Sequence, residues 1–539
     1  MLKLQKLFDL LRGSIARILP SECIMQNKPT AWADFFLFFS VLFGALVRFA
    51  PTIMTGSPIN DGGMFYVMIE DLKANHFLIP AFTSYNYLNI PFAYPPLSFY
   101  VGGFISLLGI STLNIIRWLP PLISTLAIPA FYWMASLLLN SRTKASLATV
   151  AYALMPRSFS WYVMGGGLSR TFGVLFLLLA CASAWSLFTK PAPKYLFLTI
   201  LFGAGAVLSH PETGLHTAAA CVLIWLFKGR TARGLRDAVF VTLGVLLLTS
   251  PWWGTVVVQH GFAPFQSALN TGGHSALAWS PGFIFDITQE RFVAILTILG
   301  LLGLIIQLIH RDWFLPAWLL LPFVVEPRSA TAIAAFPLAM LACVGLTEFI
   351  IPRVIAFRFG AVNDSSDWTF SMARSGVVKI VLFCLIFLIL ISSLSYDLSL
   401  ANYIVPFESR VAMQWASKNT PSSSSFIVLT GRNDPFLNSS AEWFPVFAMR
   451  TSLNTIQGQE WLLGKDFSLF FDDLQNLQNC LNTDPNCLDE WASRHKLGFN
   501  FVYIEKSKQI PVTLLNQLRQ DSRYVLVFEN GGAAIFERK

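Results

Sequence analysis

Apolar runs of roughly 20 residues recur along the chain from Trp32 to Leu400, the length an α-helix needs to cross a bilayer core of about 30 Å. They lie near 32–50, 115–139, 145–163, 168–188, 195–209, 211–227, 236–258, 292–309, 313–325, 331–350 and 377–399. In lipid every backbone polar group must be satisfied within the segment, so such runs fold as helices packed on one another. Composition agrees: 54% of the 539 residues are hydrophobic and 13% are charged, against about 25% charged in ordinary soluble domains. The net charge of +8 then reads as a topology signal. No Lys/Arg cluster is interleaved with aromatics, which argues against a nucleic-acid partner.

The first run follows a tail, 1–31, holding Lys3, Lys6, Arg12, Arg17 and Lys28. It starts too late and is too long for a simple cleaved signal peptide, so it reads as an uncleaved span with a cytoplasmic N-terminus. One stretch, "FAYPPLSFYVGGFISLLGI" (92–110), reads as a span or as a helix lying along the surface. The surface reading leaves eighteen Lys/Arg inside and six outside, the bias the positive-inside rule favours. The expectation is a polytopic α-helical membrane protein of about 11 spans, occupying 32–400, with a long first external loop at 51–114. That loop carries two membrane-parallel helices. In the first, about 64–77, Met64, Met68 and Leu72 share an apolar face suited to the membrane interface.

After Leu400 the composition changes. "ESRVAMQWASKNTPSSSS" reads as a helix ending in a Pro/Ser loop, and "FIVLT", "FVYI", "YVLVF" and "AAIFE" read as short strands. Residues 401–539 are expected to form an extracytoplasmic α/β domain. Of seven cysteines, Cys23, Cys181, Cys221, Cys343 and Cys384 lie in the tail or in apolar runs, where packing explains them. Cys480 and Cys487, in "CLNTDPNC", fit a disulfide in an oxidising compartment. No His/Cys set has zinc spacing.

On this topology the polar residues converge on the outward end. Asn60 and Asp61, in "NDGGMFY", end the first span; Arg117 begins the second. Arg170 lies in "GGGLSR", His210, Glu212 and His216 in "SHPETGLH", His274 in "NTGGHS", and Glu326 and Arg328 in "EPRSAT". Ionisable groups near membrane depth are costly and have a task or a partner. Each has a plain structural reading as well. Asp61 or Asn60 reads as a cap for the following helix, His210, Glu212 and His216 as a local cluster, Arg328 as a partner of Glu326, and Arg117 as an interfacial anchor. Together they place acids beside Arg and His, and the planar guanidinium fork matches phosphate oxygens. A carboxylate next to a phosphate-binding cation suits a transfer in which a lipid phosphate leaves and the carboxylate deprotonates an incoming hydroxyl.

The chain resembles the GT-C glycosyltransferases, a group that includes protein O-mannosyltransferases, aminoarabinose transferases and oligosaccharyltransferase catalytic subunits. The resemblance rests on Asp61 opening the first external loop, on "YPPLSFY" (94–100), on Arg117 before the next span, on "EPRSATAIAAFPLAMLACVGL", and on "EWFPVFAMR" (442–450) with "TIQGQEW" (455–461). It implies a polyprenyl-phosphate-linked sugar donor and inversion at the sugar carbon. It makes Asp61 the general base and gives Arg328, with His210 or Arg117, the donor phosphate. Tyr94 and the Pro-Pro-Leu helix wall the site, and the acceptor is a protein, lipid or glycan. The sequence departs from the group in having no second Asp-x-Asp-type motif in an outer loop, so no motif supports a divalent metal. Two other readings use the same features: a lipid or glycan flippase, and a non-catalytic assembly protein on this fold.

Overall fold

Each of the eleven apolar runs contains a helix: Ala31–Thr55, Thr112–Leu138, Arg142–Leu154, Gly167–Thr189, Pro193–Val207, Pro211–Lys228, Ala232–His260, Ile295–Ile309, Phe314–Val325, Ala330–Gly345 and Gly376–Leu400. The structure is a computed structural model and describes residues 31–271, 287–359, 375–506 and 513–539. Among the described residues six helices are long and apolar enough to cross a bilayer alone, or up to seven if the bent pair Ile295–Ile309 and Phe314–Val325 makes one span. That is fewer than the eleven spans the hydropathy pattern predicts. The shortfall lies in short helices such as Arg142–Leu154, whose 13 residues reach only about 20 Å. The bent pair is broken between its two helices at an angle of 119°.

The helix Ala330–Gly345 is buried along almost its whole length. Its run of small residues lets Ile295–Ile309 approach closely. A side chain at Gly303 would collide with the Leu341 carbonyl, and one at Gly345 with the Leu299 carbonyl. Arg48, fully buried in the first helix, stitches three helices together. It donates to Ser124 Oγ (2.9 Å), Gly44 O (3.0 Å), Ala153 O (2.7 Å) and Ser158 Oγ (3.2 Å).

The first loop holds the helices Gly63–Ala74 and Leu97–Ser106, joined by the short antiparallel strands β1 (Phe82–Thr83) and β2 (Ile90–Pro91). Ten residues of helix at 97–106 rise about 15 Å, half of what a span requires. The ambiguous proline-led stretch therefore does not cross the membrane as one helix.

Beyond Leu400 the predicted strands form. A five-stranded sheet has the order β4–β3–β5–β7–β6, built from β3 (Ser425–Leu429), β4 (Thr451–Ser452), β5 (Phe501–Glu505), β6 (Tyr524–Glu529) and β7 (Ala533–Arg538). β3 runs parallel to β4 and β5, while β7 is antiparallel to both β5 and β6. The two faces are read off the period-2 alternation of each strand. Ile427, Val502, Ile504 and Phe536 pack with the helices Phe467–Asn479, Asn486–Arg494 and Thr513–Gln520. Phe426, Val428, Phe501, Tyr503 and Ile535 face the other way, toward the helices Phe407–Asn419 and Ser439–Ala448. Cys480 and Cys487 are bonded to each other, their Cα atoms 5.7 Å apart.

That second face does not stop at the C-terminal segment. The same hydrophobic core takes in Met64, Phe65, Met68, Ile69 and Leu72 of the first-loop helix, together with Tyr85, Ile90 and Phe99. Met64, Met68 and Leu72 are 5%, 2% and 0% exposed. The apolar face predicted to meet the membrane is therefore covered by protein. The large apolar side chains that the first loop exposes include Leu78, Phe104, Leu107 and Leu108.

Candidate active site

The segment between the first span and the first-loop helix is a twisted turn. Asn60 has φ 54° and Gly62 φ 113°, both left-handed, and Gly62 stands at the N-terminus of the helix. A helix begins with backbone N–H groups that have no partner inside it. The sequence offers Asn60 or Asp61 for them, but neither takes them. Asn60 Nδ2 donates to Phe436 O (2.9 Å). The groups are taken by Glu442, a residue the sequence did not single out. Its Oε1 accepts from Gly62 N (2.8 Å) and Gly63 N (3.0 Å). The signal was present: a lone carboxylate in the apolar "AEWFPVF" has to find a partner when it is buried. Glu442 is 3% exposed. Burial pushes its carboxyl up to about 8, the charge of Asp61 adds to the shift, and the backbone bonds to the turn oppose it.

Asp61 turns instead to the start of another helix. Its Oδ1 accepts from Gly166 N (2.7 Å), at the N-terminus of Gly167–Thr189, and its Oδ2 lies 3.4 Å from Arg170 Nη1. This explains the three glycines of "GGGLSR". Gly165 N donates to Ile59 O (2.9 Å), which draws the two turns together. A side chain at Gly166 would strike the Asp61 carboxylate, and one at Gly165 its carbonyl. The Asp61 side chain keeps 13% of its surface exposed and that of Arg170 keeps 30%. The Arg170 guanidinium also lies 5.6 Å from the Trp161 ring.

A second tier of predicted residues surrounds this pair. Tyr94 shares a hydrogen bond with Ser169 Oγ (3.1 Å), and its ring packs near Phe65, His210 and Trp461. His210 caps the helix Pro211–Lys228. Its Nδ1 accepts from Thr213 N (3.3 Å), which leaves the ring proton of the neutral form on Nε2 as a donor. Arg328 does not pair through its side chain with Glu326. Its Nε is 3.7 Å from Glu212 Oε1, and its guanidinium lies 5.5 Å from the Phe436 ring. Half-buried Glu460, from the C-terminal segment, joins the group. Burial raises its carboxyl, Arg328 opposes the shift and Glu212 adds to it.

Glu326 and His216 form the support beneath Arg328. Glu326 accepts from Arg328 N (3.0 Å), Ser329 N (2.9 Å) and Ser329 Oγ (2.7 Å), while His216 Nε2 contacts Ser329 Oγ at 3.0 Å. Arg117 turns elsewhere. It donates to Thr52 O (3.0 Å) and covers the Trp118 ring at 4.6 Å, as an anchor would. Its neighbour Ile116 is the residue that packs against Gly62 and Gly165. His274 lies outside the described residues. Among the described residues no group of three or more His, Cys, Asp or Glu side chains is arranged to hold a metal ion.

The result is a patch where Asp61 faces Arg170 and Glu212 faces Arg328, with Glu442 beside Asp61 and Glu460 near Arg328. It lies where the first-loop turn, three helix starts and the C-terminal segment meet.

No protein-family model and no curated protein sequence matches the chain. Solved structures do. The crystal structure of ArnT from Cupriavidus metallidurans bound to undecaprenyl phosphate superposes with a TM-score of 0.54 at 13% identity, over 95% of this chain and 98% of that one. The apo form of the same protein gives 0.52 at 14% identity, over 94% and 98%. The arabinofuranosyltransferase AftD from Mycobacteria gives 0.52 at 14% identity, over 93% of this chain and 41% of that one. At these identities the likeness is one of fold, and it extends through the helical bundle, the first loop and the C-terminal sheet. The chain has a GT-C-like fold.

Proposed function

We propose that the protein is a glycosyltransferase, which moves a sugar from a polyprenyl-phosphate-linked donor to an acceptor hydroxyl at the outer face of the plasma membrane. The observation that carries this reading is the Asp61–Arg170 contact, beside Arg328 at one end of an apolar bundle with a GT-C-like fold. The undecaprenyl phosphate in the ArnT structure supports a lipid phosphate as the leaving group.

In this reading Asp61 is the general base. Gly166 N–H fixes Oδ1, and Oδ2 receives the proton of the acceptor hydroxyl. The acceptor oxygen attacks the anomeric carbon, the bond from that carbon to the phosphate oxygen breaks, and the configuration inverts. Arg328 and Arg170 hold the phosphate. The 3.7 Å contact of Arg328 with Glu212 is loose enough for a phosphate to displace. His210 contributes its Nε2–H. The N-terminus is cytoplasmic, and residues 401–539 lie outside as a domain that contributes to acceptor choice.

The test is turnover of a polyprenyl-phosphate-linked sugar by the purified protein, with water as acceptor until the natural one is known. Release of free sugar by the wild type and its loss in Asp61→Asn support the reading. Lipid movement across vesicles without donor breakdown would assign the fold to transport instead.

A further inference from the structure

We propose that Glu442 is the positioning residue for Asp61, and that the C-terminal segment thereby completes the active site. The proposal rests on the glycosyl-transfer reading above. Its basis is the set of bonds on either side of Asp61. On the preceding residue, Trp443 Nε1 donates to Asn60 O (2.9 Å), Asn60 N donates to Tyr403 O (2.5 Å) and Asn60 Nδ2 donates to Phe436 O (2.9 Å). On the following two, Gly62 N and Gly63 N donate to Glu442 Oε1 at 2.8 and 3.0 Å. Glu442 is held in turn from the first loop: Tyr85 Oη donates to its carbonyl at 2.7 Å.

The turn has to be held from outside because its own conformation is costly. Two left-handed residues flank Asp61, and one of them, Asn60, is a non-glycine residue in a region that L side chains seldom adopt. Free of its partners, the turn would relax and carry the Asp61 carboxylate away from Gly166 and Arg170. A displacement of about 1 Å at a reacting group costs on the order of a hundredfold in rate. Glu442 does not face the acceptor in this scheme. Its Oε1 acts through the backbone as a hydrogen-bond acceptor, a role an amide oxygen also fills. Asp61, which has to take up a proton, has no such substitute.

The experiment uses the full-length protein with Glu442→Ala, Glu442→Gln and Trp443→Phe, the last removing the bond to Asn60 O together with part of a buried ring. Two quantities are read: hydrogen–deuterium exchange of the peptide covering residues 59–68, and kcat and KM for donor hydrolysis. Glu442→Ala is expected to speed exchange at Gly62 and Gly63 and to lower kcat at least tenfold with KM little changed. Glu442→Gln is expected to restore both to within about threefold of wild type, and Trp443→Phe to fall between. Unchanged exchange in Glu442→Ala overturns the contact. Faster exchange with an unchanged kcat overturns the positioning role and leaves the glycosyl-transfer reading standing. A loss in Glu442→Gln as large as in Asp61→Asn makes Glu442 itself the proton acceptor and overturns the proposal. If Glu442→Ala does not fold, the Gln and Phe variants still decide. If the wild type hydrolyses no donor, the glycosyl-transfer reading fails and this one with it.

Discussion

Arg170 Nη1 stands 3.4 Å from Asp61 Oδ2, while Gly166 N–H holds the other oxygen of the same carboxylate at 2.7 Å. One oxygen is thus fixed by a short bond, and the second is held only by a loose, partly exposed ion pair. A carboxylate kept this way is what the proposed base role requires: fixed in place, with one oxygen only loosely held.

Asp61→Asn separates a structural role from a chemical one. The amide oxygen can still accept from Gly166 N–H, so the variant should fold and bind donor. An amide cannot take up a proton at neutral pH, so turnover should fall by at least about 100-fold, the scale of a positioned general base. Single-turnover donor hydrolysis checks this. Wild-type rates in the variant would reduce Asp61 to a cap of the helix Gly167–Thr189.

Arg328 should govern donor affinity. Arg328→Lys keeps the charge but loses the bidentate fork, so the Kd for donor should rise roughly tenfold; Arg328→Ala should weaken binding further. Equilibrium binding of a labelled polyprenyl phosphate measures both. Unchanged affinity in Arg328→Ala would pass the assignment to Arg170 and His210.

Stability should depend on the ionisation of Glu442. Its folded-state carboxyl is raised from 4.5 to about 8, so between those values the native state binds the proton more tightly than the unfolded chain. Stability from this group is therefore full at the acid end, falls as pH rises through that window and is flat above it. Glu442→Gln should remove the slope and gain a few degrees of Tm, roughly, over wild type at pH 8. Thermal unfolding in detergent at pH 5 and pH 8 reads this, and equal slopes in the two proteins would contradict it.

The disulfide should be found intact in protein prepared without reductant. Cys480 and Cys487 close a loop between the helices Phe467–Asn479 and Asn486–Arg494. Peptide mapping should recover them as one linked pair, and Cys480→Ser with Cys487→Ser should destabilise the segment by about 2–3 kcal/mol. Two free thiols would also remove a support for placing residues 401–539 outside.

Sidedness is open to direct labelling. In intact cells a cysteine at exposed Ser423 should react with an impermeant maleimide, and cysteines at exposed Lys190 and Arg230 should react only after permeabilisation. The reverse pattern would invert the proposed topology.

What the sequence determined by itself is what hydropathy and local periodicity encode. Every apolar run became a helix, and the strands at Phe426, Phe501, Tyr524 and Ala533 stand where β-branched and aromatic residues cluster. Asp61, His210, Glu212 and Arg328 were legible because an ionisable residue at the end of an apolar run is expensive without a role, and Tyr94 through the resemblance of "YPPLSFY". The tertiary structure alone decided what covers what. A stripe such as Met64, Met68 and Leu72 states that it must leave water; whether lipid or the C-terminal sheet receives it depends on chain hundreds of residues away. The same distance hid Glu442, 380 positions from Gly62, since no local pattern announces which acid will take up a helix's free N–H groups. It also separated Arg117 from Arg170. Both are cations near the start of a helix, but one turns to Thr52 and the other to Asp61. Those directions are fixed by how helices pack, and packing is a property of pairs of segments that a reading of one segment at a time does not contain.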